Sequence, residues 1–185
     1  MSVEIVISHY NEKIGWIYNI KYPFTVYSNH FLFPNTYTNK GNEANGYLKY
    51  IIDNYNNLPD YVIFIHGDRK AYHHDGNLDN IINKLTFDKL FCTLNNRLTL
   101  DPVPPIYQLV MLENIDVFEA FLKRRLNIKN IRYYGNAQFY VHKSLILKHK
   151  LSDYKYLYNW KQKTTLDTWY VGLIFEYMWY TIFCL

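Results

Sequence analysis

The sequence predicts an α/β fold, in which helices flank a mostly parallel β-sheet, from two observations. Short β-branched apolar runs alternate along the chain with segments whose apolar residues recur at helical spacing, an order typical of layered parallel sheets. Apolar runs also end abruptly in polar clusters, at residues 9–12, 28–30 and 66–68. Because such sheets bind ligands outside the carboxyl ends of their strands, these clusters predict where a functional site lies.

The strands are predicted from apolar, β-branched runs that stop at polar residues. Residues 4–8 form the first strand and residues 24–27 the second. Residues 61–65 form the clearest one, which runs straight into a polar tripeptide. Residues 131–141 are predicted to be extended around Gly135.

The helices are predicted where apolar residues recur every three or four positions. They span residues 42–54, 78–85, 117–126, 153–163 and 169–183, with a short one at residues 14–17. Pro59 closes the first long helix, because proline cannot continue it. Pro102, Pro104 and Pro105 predict an extended loop.

The composition predicts one globular domain over residues 1–185. Apolar residues make up 49% of the chain and charged residues 19%, which is typical of a protein with a packed core. The net charge of +4 is mild and spread along the chain. A nucleic-acid-binding protein usually carries a denser basic stripe, so no nucleic-acid partner is expected.

The cysteines and the N-terminus predict a cytoplasmic protein. Cys92 and Cys184 show no metal-ligand or disulfide spacing, which favours a reducing compartment. Residues 1–4 lack a basic start followed by a long apolar stretch, so no signal peptide is expected.

The tripeptide His66-Gly67-Asp68 follows the clearest strand. Two polar residues separated by one position lie on the same side of an extended chain, and the glycine lets a ligand approach closely. A carboxylate here could hold a divalent cation that bridges a diphosphate. The alternative is a turn in which Asp68 only accepts hydrogen bonds from backbone amides.

A second polar group, His73-His74-Asp75, follows within a few residues. Imidazole and carboxylate are ordinary zinc ligands, so a zinc site is one interpretation. Adjacent histidines usually point apart, however, and no second ligand group stands at a typical spacing, which favours an exposed polar loop. A histidine that assists a metal ion or a phosphate is the third interpretation.

Glu176 is a single carboxylate in the apolar segment 171–180. A membrane anchor needs about 20 apolar residues, and this segment is short and carries a charge at its centre. A buried helix of a globular protein is therefore expected, and no membrane span. Desolvation raises the pKa of a buried carboxylate, which suits a general base or acid that works near neutral pH.

Several common enzyme classes lack support in the sequence. The chain contains no glycine-rich phosphate loop, no Gly-x-Ser-x-Gly elbow, no Cys/His nucleophile pattern and no His-Glu-x-x-His helix. These absences count against P-loop enzymes, α/β-hydrolases, thiol proteases and the common zinc proteases.

Five ordered motifs, which together extend over nearly the whole chain, resemble one family. They are residues 6–12, residues 42–48, residues 58–68, residues 135–139 and residues 175–183. On these motifs the sequence resembles an uncharacterised family of fungal, bacterial and large-DNA-virus proteins usually grouped near the GT-A glycosyltransferases.

This resemblance implies a GT-A-like, Rossmann-like fold with an Asp-x-Asp metal motif after a central strand. His66 stands where GT-A enzymes commonly carry the first Asp, so Asp68, with His66, would hold Mn²⁺ or Mg²⁺. The family order also implies that Glu176 is the catalytic base, on a helix behind the Gly135 strand. The residues implied to bind the nucleotide-sugar donor are His9, Tyr10, Asn11, Glu12, Asn42, Glu43, His66, Gly67 and Gln138.

Two positions depart from the family pattern. Members often carry an Arg where this chain has Asn42, and often a His where it has Tyr180. The first change removes a cation that could bind phosphate. The second removes a possible ligand one helical turn beyond Glu176.

The resulting expectation is a metal-assisted glycosyltransferase that moves a sugar from a nucleotide diphosphate to an unidentified glycan, protein or small-molecule acceptor. The alternative is a non-catalytic carbohydrate- or nucleotide-binding protein on a degenerate transferase fold, which the two departures and His66 favour. A metal-dependent hydrolase built on residues 66–75 is a third possibility. A large DNA virus fits the composition and the resemblance as a source, which would place the protein in host cytoplasm.

Overall fold

A six-stranded sheet organises the computed structural model, which describes residues 1–30, 33–95, 105–128, 131 and 137–185. The strands are β1 (Val3–His9), β2 (Phe24–Ser28), β3 (Asn35–Thr36), β4 (Tyr61–His66), β5 (Phe91–Thr93) and β6 (Phe139–His142). The helices are α1 (Glu43–Asn54), α2 (Leu78–Asn83), α3 (Pro105–Glu113), α4 (Ile115–Leu122), α5 (Lys143–Ile146), α6 (Leu151–Lys163) and α7 (Thr168–Cys184). A short 3₁₀ helix, Ile14–Asn19, follows β1.

The strand order is β3-β2-β1-β4-β6-β5. β1 pairs in parallel with β2 and β4, and β2 pairs in parallel with β3. β6 runs antiparallel to both β4 and β5. The prediction of an α/β fold is confirmed, but the prediction of a mostly parallel sheet is wrong, because β6 makes the sheet mixed. Strand direction depends on which end of the sheet the preceding connection reaches, and apolar patterning does not encode that.

Both faces of the central strands are covered, which explains their nearly continuous apolar sequences. Ile5 and Ile63 point to one face, where they pack with the 3₁₀ helix and α2. Val6 and Phe64 point to the other face, where α1, α4, α6 and α7 cover the sheet. The chain therefore forms one compact α/β domain.

The last helix, α7, carries an aromatic stripe at four-residue spacing. Phe175 lies 5.3 Å from Trp179, and Trp179 stacks on Phe183 at 5.9 Å, both distances joining ring centroids. Phe175, Trp179 and Phe183 are all buried in the core beneath the sheet. Because successive helical positions differ by about 100°, this stripe turns the neighbouring Glu176 away from the core interior.

Some elements differ from their predicted positions. Pro105 begins α3 instead of ending an extended loop, which agrees with the preference of proline for the first position of a helix. α4 ends earlier than predicted, because Lys123 adopts a left-handed conformation with φ of 55°. Pro102, Pro104 and the predicted extended segment around Gly135 lie outside the described residues.

The prediction that α7 is not a membrane anchor agrees with the structure. Within the described part of the chain, no helix has both the length and the apolar character that a bilayer crossing requires.

Candidate active site

Two adjoining cavities open beside the carboxyl ends of β1 and β4. The smaller has a volume of about 330 Å³ and the larger about 470 Å³. They share Glu12, Glu43 and His66, so together they form one cleft. The smaller cavity is also lined by Ser8, His9, Tyr10, Tyr37, Asn39 and Asn42. The larger is also lined by Asp68, Lys70, Tyr72, His73 and Glu176, among others.

The segment after β1 closes one wall of the cleft. The ring of His9 accepts a hydrogen bond at Nδ1 from Ser28 Oγ (2.8 Å) and donates from Nε2 to the Glu12 carbonyl (3.1 Å), so it ties β1 to β2. The backbone amide of the exposed Tyr10 donates to the Glu12 carboxylate at 2.7 Å. Asn11 is exposed and does not line either cavity.

Gly67 allows this wall to approach the end of β4. A Cβ atom at Gly67 would lie 2.7 Å from Glu12 Oε2, which is too close for any real side chain. The Gly67 carbonyl also accepts a hydrogen bond from the Trp16 indole at 2.9 Å. The glycine of the predicted His-Gly-Asp motif therefore makes room for the Glu12 carboxylate at the junction of the two cavities.

The segment after β4 carries five of the residues that line the larger cavity, namely Asp68, Lys70, Ala71, Tyr72 and His73. Arg69 anchors this segment to α2, since its guanidinium donates two hydrogen bonds to the buried Asp79 carboxylate at 2.7 and 3.1 Å. Such bidentate charged pairs hold their geometry well. The loop that carries these cavity-lining side chains is therefore held in place against α2.

His66 lies in a chain of hydrogen bonds. The Asp68 amide donates to His66 Nδ1 at 3.3 Å, which leaves the proton of a neutral ring on Nε2. Nε2 can then donate to His73 Nε2, 3.4 Å away. The buried Gln138 side chain donates to the same nitrogen at the shorter distance of 2.6 Å, so the two donors share one lone pair and the contact from His66 is the weaker of the two. Gln138 therefore supports the cleft through His73, and His66 would have to break a hydrogen bond to bind a metal ion.

Burial keeps the rings of His66 and His73 uncharged at neutral pH. Burial lowers the pKa of His66 to about 4, and it lowers that of His73 to about 3, with the other histidines of the cluster adding smaller effects. Zinc binding by residues 66–75 gains no support, because among the described residues no group of three or more His, Cys, Asp or Glu side chains is arranged to hold a metal ion.

We expect the two histidines to destabilise the fold in acid. Between pH 6.5 and about 4 the unfolded chain binds protons that folded His66 and His73 do not, so the free energy of unfolding falls as the pH falls through this window. Glu43 makes the opposite contribution to the pH dependence of stability, because its pKa is raised. Urea unfolding of wild type and His73→Gln should therefore be compared directly. As the pH falls through this window, the free energy of unfolding should fall less steeply for the variant than for wild type, by up to about 1.4 kcal/mol per pH unit. Equal pH dependence in the two proteins would contradict the assignment of His73.

The turn before α1 holds Asn42 and Glu43 at the cleft. Asn42 has φ of 48°, a conformation that residues other than glycine adopt only when their surroundings hold them there. Its side chain packs on Gly172 of α7, where an added Cβ would lie 2.6 Å from Asn42 Nδ2. The buried Lys161 amine donates to the Lys40 carbonyl (3.2 Å) and to Asn45 Oδ1, which fixes the turn from below.

Glu43 has a carboxyl group whose pKa is raised. Its pKa is raised to about 7, chiefly by burial and then by the negative charges of Glu176, Glu12 and Asp68, against the lowering effect of a hydrogen bond from its own backbone amide. Its position in the first turn of α1 should favour the ionised form through the helix dipole, but that effect is worth only about 0.3–1 kcal/mol at an exposed site. Desolvation and like charges therefore outweigh it.

Glu176 lines the larger cavity from α7. The prediction that it is buried is wrong, because it is only partly buried and faces the cleft. The neighbouring Tyr180 lies further along α7, with its ring 5.7 Å from Phe91 at the wall of a small hollow of about 10 Å³. A hollow of this size admits no ligand, so Tyr180 does not take the place of a histidine in the cleft.

Sequence reasoning missed several residues of the cleft. Tyr37 and Asn39 line the smaller cavity, and the Tyr37 hydroxyl shares a hydrogen bond with Ser8 Oγ at 2.8 Å. They follow β3, a strand of two residues that no apolar pattern could have indicated. Lys70 and Tyr72 were missed because they are exposed in a polar segment. Their closeness to the His-Gly-Asp motif was the available signal.

No curated protein and no solved structure matches this sequence. A protein-family model does match, over residues 5–93 and 108–185, and these ranges contain every cleft residue named above. The prediction of an uncharacterised family is confirmed to that extent. The chain belongs to the family described as Protein of unknown function (DUF3431).

Proposed function

We propose that the protein is a glycosyltransferase whose cleft binds a nucleotide-diphosphate sugar. The observation that carries the proposal is the larger cavity, whose wall holds four carboxylates from separate segments: Glu12, Glu43, Asp68 and Glu176. The cleft has the size of small-ligand sites, about 300–1,000 Å³. It also lies at the carboxyl ends of parallel strands in the order β3-β2-β1-β4. This arrangement supports a Rossmann-like, GT-A-like topology for the parallel half of the sheet.

The charge of the cavity supports a requirement for a divalent cation. Lys70 is the one lysine or arginine among the described residues that line the larger cavity, so a bare diphosphate would meet net repulsion. Mn²⁺ and Mg²⁺ prefer oxygen ligands, and Mg²⁺ is usually held by one or two carboxylates together with substrate phosphates. Asp68, which is exposed in the cavity, is the residue best placed to hold the ion.

When bound, the cation would neutralise the charge that develops on the diphosphate leaving group. Glu176 would take the proton from an acceptor hydroxyl while that oxygen forms its bond to the anomeric carbon. The bond from the anomeric carbon to the phosphate oxygen breaks, and its electron pair leaves with the diphosphate. The nucleotide would lie against the smaller cavity, where His9, Tyr10 and Asn42 supply polar and aromatic surface.

A second candidate function is binding without catalysis. Both ring nitrogens of His66 are hydrogen-bonded within the protein, and Tyr180 packs against Phe91. His66, which stands where GT-A enzymes carry an Asp, and Tyr180, which stands where family members often carry a His, would therefore have to break these contacts to bind a metal ion. A binding protein would be stabilised by free sugars or nucleotides without any metal ion.

Thermal unfolding with UDP-glucose, GDP-mannose and dTDP-glucose, each with and without Mn²⁺, tests the proposal. At about 100 times its dissociation constant a ligand adds about 2.7 kcal/mol of stability. For a protein of 185 residues this corresponds to a rise in Tm of about 5–10 °C. We expect such a rise with one nucleotide sugar, only when Mn²⁺ is present.

The Asp68→Asn variant should lose this rise, and Asp116→Asn, the same change at an exposed site, should keep it. Stabilisation by free glucose or mannose without Mn²⁺ would instead support the binding protein. No stabilisation by any nucleotide sugar would contradict both nucleotide-based proposals.

A further inference from the structure

We propose that Glu43 donates a hydrogen bond from a protonated carboxyl group to an oxygen of the bound ligand, where the two cavities meet. This inference rests on the proposed nucleotide-sugar function and deepens it, because it assigns a separate role to a second carboxyl group of the larger cavity. Glu176 is the base of the proposed reaction, and Glu43 acts as the neutral donor.

The position of Glu43 is the first argument. Glu43, Glu12 and His66 line both cavities, so a ligand that spans the cleft must pass them. Glu12 already accepts a hydrogen bond from the Tyr10 amide, and both nitrogens of His66 are engaged. Among the described residues, none is hydrogen-bonded or ion-paired to the Glu43 carboxyl group except its own backbone amide. Glu43 is therefore the junction residue whose side chain accepts no hydrogen bond from another described residue, and its carboxyl group is available to a ligand.

The backbone that carries Glu43 is held in place by contacts from α6 and α7. The strained Asn42 backbone, the contact of Asn42 with Gly172 and the hydrogen bonds of Lys161 hold the start of α1 in place. The Lys161 amine is directed to Lys40 and Asn45, so it does not neutralise Glu43. The backbone from which the Glu43 side chain extends is therefore held in place where the two cavities meet.

Three acidic side chains from separate segments surround Glu43. Glu12 faces it from the segment after β1, Asp68 from the segment after β4, and Glu176 from α7. An additional negative charge among three others is unfavourable, and burial raises the pKa of Glu43 to about 7. Pairs of carboxyl groups whose surroundings separate their pKa values commonly divide the acid and base roles. The other titratable groups that line these cavities or lie near Glu43 are His9, Tyr10, Tyr37, Tyr47, His66, Lys70, Tyr72 and His73.

Protonated Glu43 can donate to a sugar hydroxyl or a phosphate oxygen, whereas ionised Glu43 would repel the phosphate. Glutamine resembles the protonated form, because its amide donates a hydrogen bond and carries no charge. The test therefore measures the affinity for the nucleotide sugar that stabilises wild type, with Mn²⁺, at pH 6 and pH 8. The proteins compared are wild type, Glu43→Gln, Glu43→Ala and the exposed control Glu113→Gln.

We expect wild type and Glu113→Gln to bind about tenfold more weakly at pH 8 than at pH 6, since only the protonated fraction is competent to bind. Glu43→Gln should bind at pH 6 as wild type does and lose most of the pH dependence. Glu43→Ala should bind weakly at both pH values. If Glu43→Gln is as weak as Glu43→Ala at pH 6, the cleft uses an ionised Glu43 and the inference is overturned.

A measurement without ligand separates this inference from the proposed function. In ¹³C NMR of carboxyl-labelled protein, the resonance missing from Glu43→Gln should titrate near pH 7, and its midpoint should fall in Glu176→Gln. A midpoint below about 5, near the ordinary value for Glu, overturns the inference even if nucleotide sugars bind. A midpoint near 7 without any nucleotide-sugar binding overturns the proposed function and leaves the protonation state of Glu43 established.

Discussion

Replacing Glu176 by Gln should lower sugar transfer by about 10²- to 10⁴-fold, the usual contribution of a general base. Glutamine has the same shape but cannot accept the proton of the acceptor hydroxyl. Glu176 is partly exposed on the cleft side of α7, so we expect the folded structure and its stability to change little. The measurement is release of nucleoside diphosphate with the donor that stabilises the wild-type protein.

The Glu176→Gln protein should still bind the donor, so the loss should appear in kcat and not in KM. Glu113→Gln makes the same chemical change on the exposed surface of α3 and should keep wild-type activity. Full activity in Glu176→Gln would remove Glu176 from the role of base. Because Glu43 lies in the same cavity, it would then be the next carboxylate to test.

The largest effect on stability is expected from Phe64→Ala. Phe64 is fully buried on β4, with its ring 4.7 Å from Tyr47 and 5.4 Å from Phe139, measured between ring centroids. Truncation to alanine should lower the free energy of unfolding by about 3–5 kcal/mol, because it removes buried apolar area and leaves a cavity. Such a loss is large against a typical total of about 5–15 kcal/mol. Urea unfolding monitored by circular dichroism measures it.

Tyr18→Ala is the matched control, because Tyr18 is 79% exposed at the end of the 3₁₀ helix. Its replacement should change the free energy of unfolding by no more than about 0.5 kcal/mol. Equal losses in the two variants would mean that β4 and α1 do not form the centre of the core.

The predicted cleft depends on two strands that the sequence indicates clearly. β1 and β4 are nearly continuous apolar runs that end in polar residues, and the structure pairs them in parallel, with Ser8 opposite His66. Because parallel neighbours end at the same edge of the sheet, the polar residues after both strands meet. This is why the sequence could predict that His9, Glu12, His66 and Asp68 lie close together.

Other residues reach the cleft through contacts that leave no local pattern. Asn42 and Glu43 begin α1, and they face the cleft because Gly172 and Lys161, more than a hundred positions later, hold the preceding turn. Gln138 was predicted to touch the donor, but the structure buries it behind His73. A side chain that acts through a neighbour cannot be distinguished in the sequence from one that contacts a ligand.

The sequence by itself determined the alternation of strands and helices, the apolar character of β1 and β4, and the polar residues at their carboxyl ends, because these depend on local periodicity. Only the tertiary structure decided that β6 runs antiparallel to β4, that Glu176 is partly exposed, and that Glu43 joins Glu12, Asp68 and Glu176 in one cavity. Strand direction and the pKa of Glu43 depend on groups far apart in the chain. Burial and like charge act through space, and no pattern along the sequence records those distances.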